Sequence, residues 1–92
     1  MNVYEVIAVV SDGKGIEVST SHGLCSTFKK ARERLVALRR TVMAEKRNLT
    51  NDVRGYFGDT QGDTVYLYEV ESKKGDEFYE VVSLSIVERE VL

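Results

Sequence analysis

The sequence predicts an α+β domain of ββαββ order, one long amphipathic helix packed on a four-stranded, mainly antiparallel sheet. Three observations predict it. Short runs rich in Val, Ile and Tyr stand near both ends of the chain. Within each end they come in pairs, separated by segments of turn composition containing Gly and Asp. Between the pairs, Phe28, Ala31, Leu35, Leu38, Val42 and Leu49 recur at intervals of three, four or seven, the spacing of one helical face.

Residues 3–10 (VYEVIAVV) read as the first strand, and Ser11-Asp12-Gly13-Lys14-Gly15 as a turn with Asp-Gly supplying positive φ. Residues 16–20 alternate and form the returning strand, and His22-Gly23 breaks the pattern. Ser26 or Thr27 is suited to cap a helix, because a hydroxyl accepts from the unpaired amides of the first turn. Arg47-Asn48 suits the other end, where cations meet the negative end of the helix dipole. Residues 48–63 hold three of the seven glycines and no clear period, and read as a long loop. Residues 64–71 form the third strand and 78–88 the fourth, joined by a turn over 72–77. The first and fourth strands are the most apolar, which puts them at the centre of the sheet and the second and third at its edges. Ninety-two residues make a single domain, 1–92.

Strands covered on one side alternate cleanly, and these do not. Tyr4, Val6, Ala8 and Val10 share one side of the first strand, Val3, Ile7 and Val9 the other. One helix covers one face, so the second would expose several of Val3, Ile7, Val9, Tyr66, Tyr68, Tyr79 and Val81. At about 25 cal/mol per Å² of apolar surface, several hundred Å² left wet forfeits several kcal/mol. A second copy of the chain is the first candidate to cover it, with Tyr66, Tyr68, Tyr79 and Val81 as the dimer interface. A different protein, or the 48–63 loop folding back with Leu49, Val53, Tyr56 and Phe57, are the alternatives.

Charge is segregated. Ser26–Arg47 carries eight basic and two acidic residues, while the rest of the chain carries five basic and thirteen acidic, so a net charge of −2 hides a basic rod in an acidic frame. Arg32, Arg39 and Lys46 recur every seven residues beside the apolar stripe, with Arg40 in the next row. Such rows can track phosphates. A pI near 5.4, however, is far below the value above about 9 common in nucleic-acid-binding domains. The plainer expectation is that these stems cover apolar surface and pair with glutamates of the sheet.

Arg54-Gly55-Tyr56-Phe57-Gly58 is weakly similar to the aromatic core of an RNA-recognition motif. That motif needs its aromatics on a strand, and here they read as loop. Arg54, Tyr56 and Phe57 are instead a candidate partner-binding loop, or tuck onto the core. His22 and Cys25 have an H-x-x-C spacing, but a closed zinc site needs four ligands and no second His or Cys exists. A single cysteine excludes an internal disulfide, which makes the cytoplasm the expected compartment. No apolar run approaches a membrane span. No glycine pattern or carboxylate pair points to catalysis or to a cofactor, so the expectation is a non-enzyme without one.

The opening hairpin, the segment S-T-F-K-K-A-R-E-R-L entering the helix, Y-L-Y-E-V-E and the ending S-I-V-E-R-E-V together resemble the short uncharacterised α+β accessory proteins of bacteriophages. The resemblance is one of pattern and carries no functional residue over. It implies a binding protein that redirects or inhibits a host or defence protein. The alternative is a nucleic-acid-binding protein using the basic helix 29–47 through Arg32, Arg39, Arg40 and Lys46.

Overall fold

The computed structural model describes residues 1–91. Its elements are β1 (Asn2–Ser11), β2 (Glu17–Cys25), α1 (Phe28–Leu49), β3 (Asp52–Phe57), β4 (Thr64–Lys74) and β5 (Phe78–Glu90). The fold class is α+β, but the sheet has five strands and the order is ββαβββ. The additional strand, β3, lies inside the stretch expected to be a loop. All pairings are antiparallel and the spatial order is β2-β1-β5-β4-β3. β1 and β5 are therefore interior, as their apolar content predicts, and β2 is an edge. The expected third strand, β4, is interior and not the expected edge, because β3 takes the place beyond it.

The β1–β2 turn forms because Asp12 Oδ1 accepts from the amides of Lys14 (2.8 Å) and Ile16 (3.3 Å), with Gly13 and Gly15 at φ +74° and +93°. β2 does not stop at His22-Gly23. The register against β1 shifts between Glu5 and Ile7, and Gly23 (φ +104°) lies in that irregular stretch, so a bulge replaces the expected break. Thr27 is the N-cap of α1, its hydroxyl accepting from the Lys30 amide at 3.2 Å. At the other end the Thr50 amide donates to Lys46 O at 3.0 Å. No helix among the described residues is long and apolar enough to cross a membrane.

α1 joins the two outermost strands. Its 22 residues extend about 33 Å, more than the roughly 19 Å width of five strands, so it spans one face from edge to edge. Against that face it buries Ala31 and Leu35, which meet Val6, Ala8, Cys25, Val70, Val82, Leu84 and Ile86. Ser72 is the one polar residue described as fully buried, and its hydroxyl is 3.5 Å from Glu80 O. Just outside the β1–β5 pairing the Val91 amide donates to Met1 O at 2.8 Å.

Register settles which residues face the helix. Tyr66 stands opposite Ile86, Tyr68 opposite Leu84 and Val70 opposite Val82, and Ile86, Leu84 and Val82 are all core residues. Directly paired residues share a face. Tyr66 and Tyr68 therefore lie on the helix side, which corrects their assignment to the second face. Tyr79 and Val81 have the other parity and do lie on the second face.

Candidate binding surfaces

The face away from α1 carries Val3, Ile7 and Val9 of β1, Val65 and Leu67 of β4, Tyr79, Val81 and Val87 of β5, Leu24 of β2 and Tyr56 of β3. Among the described residues no helix or strand lies over it. The 48–63 segment does not fold back across it: Val53 packs against the core on the helix side, and Leu49 is exposed at the end of α1. Arg54 and Tyr56 of that segment lie within the sheet itself, and Asp59 and Gln61 reach the depression lined by Val9, Leu67, Ser83 and Ser85. Leu24 is 61 % exposed and Tyr79 40 %.

Two carboxylates on this face are ion-paired within it. Arg89 Nη2 pairs with Glu5 Oε1 at 3.1 Å and Lys73 Nζ with Glu71 Oε1 at 3.2 Å. The Ser21 hydroxyl donates to Glu5 Oε2 at 2.7 Å, and this bond, followed by those from Arg89, holds the Glu5 carboxyl below its ordinary range. The Tyr56 hydroxyl donates to Glu69 Oε2 at 2.7 Å, which pushes the phenol up to about 12.

A second surface lies between the C-terminal half of α1 and the β3–β4 edge. Arg39, Arg40, Met43, Ala44 and Arg47 line one wall of an open cleft of about 590 Å³, and Phe57 and Tyr68 line the other. Phe57 is 66 % exposed. Its ring meets Tyr68 edge-on at 5.1 Å and Tyr66 at 5.8 Å, and Tyr66 continues through Phe28 to Tyr4. The Arg39 guanidinium sits 4.7 Å from the Tyr68 ring centroid. Among the described residues none of Arg39, Arg40 and Arg47 forms an ion pair. Three cations thus converge on an aromatic wall without an internal counter-ion.

The Arg54-Tyr56-Phe57 group is divided by the pleat. Because β3 is a strand, Tyr56 and Arg54 point to the uncovered face and Phe57 to the cleft. The expectation of one contact loop is corrected on both counts. The row Arg32-Arg39-Lys46 is likewise divided. Lys46 is paired with Glu80, their side chains 15 % and 17 % exposed, and its ammonium lies 5.9 Å from the Phe78 ring. It belongs to the core margin. Arg39 and Arg40 enter the cleft; Arg32 is exposed further toward the start of α1. His22 is exposed while Cys25 is buried opposite Tyr4.

No family model matches this chain, and no curated protein or solved structure matches it. What its surfaces can bind is therefore read from their own geometry. Met43 and Leu67 were not singled out as site residues by sequence. For Leu67 a signal existed, since Val65 and Leu67 share a parity that has no use in a strand covered on one side only.

Proposed function

We propose that this chain is a small non-enzymatic binding protein that works by protein–protein contact, and that its uncovered sheet face joins two copies. The observation that carries the reading is the apolar face itself, with two of its carboxylates paired from within. Glu5, Glu17, Asp52, Glu69 and Glu71 stand against Arg54, Lys73 and Arg89 there, with Asp59 at the central depression, so the face is mildly acidic. Such a face does not attract a polyanion, and the dimer joins through its apolar side chains rather than its charges. Five strands of 6 to 13 residues, spanning roughly 19 Å across, give a face on the order of 600 Å². A standard interface takes about 800 Å² from each partner. Small Ser83 and Ser85 at the centre, between Val9 and Leu67, leave a depression for the facing side chains. Packed this way the dimer is a helix-sheet-sheet-helix sandwich, with both arginine-lined clefts left open to occupy a surface on another protein.

Two copies carrying different tags, co-expressed and purified through one tag, test this. The second copy is expected to co-purify, and Leu67→Glu in both copies is expected to abolish it. Failure of the unmodified copies to co-purify overturns the reading.

A further inference from the structure

The two edges of the sheet are not equivalent. β2 carries a bulge and the positive-φ Gly23, and its His22 carbonyl is occupied by Arg34 Nη1 at 3.1 Å. β3 pairs with β4 in unbroken register from Asp52 to Phe57, and the chain contains no proline. Its outer edge has none of the bulges or prolines with which proteins blunt such edges.

Backbone directions on that edge follow from one bond. The Gly58 amide donates to Leu67 O at 3.1 Å, and Leu67 is the residue directly opposite in register. Antiparallel pairs alternate between bonded and non-bonded. Even-numbered residues of β3 therefore point their backbone groups at β4, while Val53, Gly55 and Phe57 point theirs outward. Side chains of an added strand directly opposite those three would lie on the helix side, in the cleft lined by Arg40, Arg47 and Phe57. The middle position faces Gly55, where there is no side chain and the Tyr68 hydroxyl lies close. That hydroxyl makes no hydrogen bond among the described residues, so the polar groups offered to the incoming side chains include donors from Arg40, Arg47 and Tyr68.

We propose that the free edge of β3 accepts an extended acidic segment of a partner protein as a sixth strand, with carboxylates at alternate positions meeting Arg40, Arg47 and the Tyr68 hydroxyl. Main-chain bonds supply affinity in this mode and the alternate side chains supply selectivity. The inference rests on the protein-binding reading but uses the side of the sheet opposite the proposed dimer face.

The test is fluorescence anisotropy with the full chain and a labelled nine-residue peptide of alternating Glu and Val. A second peptide has its central residue replaced by Pro, a third has Lys for Glu, and a fourth probe is a labelled single-stranded oligothymidine. The Glu/Val peptide is expected to bind at least about tenfold tighter than the other three. It is also expected to slow hydrogen exchange of the Val53, Gly55 and Phe57 amides. Arg40→Glu with Arg47→Glu, both exposed on α1, is expected to reduce affinity at least about tenfold while leaving the circular dichroism and the solution mass unchanged. Equal binding of the Pro peptide, tighter binding of oligothymidine, or no binding of the Glu/Val peptide overturns the proposal. Loss of the dimer with peptide binding intact would instead overturn only the sheet-face reading.

Discussion

Gly55 is the seat of Tyr68. A Cβ at position 55 would lie 2.9 Å from Tyr68 Cζ and 3.1 Å from Cε1, with the hydroxyl nearer still. The phenol crosses directly over the backbone of β3, and that position holds it against Phe57 and beneath Arg39. Gly55 has no positive φ, so proximity and not conformation demands the glycine there. Gly55→Ala is expected to displace the ring and cost about 1–3 kcal/mol. In a Tyr68→Leu background the same change is expected to cost less, and a double-mutant cycle of chemical denaturation measures the difference.

Lys46 and Glu80 form a partly buried pair at the core margin. Removing one partner leaves the other charge poorly solvated, so Lys46→Ala is expected to destabilise by about 2–3 kcal/mol. Arg40→Ala, one turn and a half away and exposed, is expected to stay within about 0.5 kcal/mol. Urea midpoints of the two variants check the contrast. Equal effects would mean that Lys46 is a surface charge like its neighbours in the row.

Glu5 links the uncovered face to pH. Its carboxyl lies below the ordinary value of 4.5, with Ser21 the largest cause and Arg89 the next. A depressed folded value means that its contribution is present above about 4.5, where the unfolded carboxyl is also ionised. It is lost as pH falls through the folded value. The Glu5 carboxyl resonance is expected to titrate below 4.5, and Ser21→Ala is expected to raise that midpoint more than Arg89→Gln does. In Glu5→Gln, the decline of stability in acid is expected to be shallower.

The helix and its two flanking hairpins were legible because their signals are local: a period of 3.6 with a hydroxyl cap, and Val/Ile runs around Asp-Gly turns. β3 was not, for a physical reason. Asp52–Phe57 is short, and Gly55 breaks its pattern to make room for Tyr68, which is distant in sequence. Among Asn51, Asp52, Gly58 and Asp59 it reads as loop. The face of the tyrosines was lost differently. In β4 both parities are apolar, Val65 and Leu67 against Tyr66 and Tyr68, so only register against Ile86 and Leu84 decides the side. That register depends on strand order, which no local pattern encodes. The cleft joins α1 to a strand that could not be seen, so its arginines were legible only as a row and Phe57 only as a loop aromatic.

Whether the uncovered sheet face joins two copies is decided by solution mass from light scattering at about 100 μM protein, a concentration well above the ~1 μM dissociation constant of a moderate complex. The unmodified protein is expected at twice the 10.4 kDa chain mass, and Leu67→Glu and Val9→Glu at a single chain mass, each with an unchanged circular dichroism spectrum. A mass of 10.4 kDa for the unmodified protein, or a dimer that survives both substitutions, would contradict joining through this face.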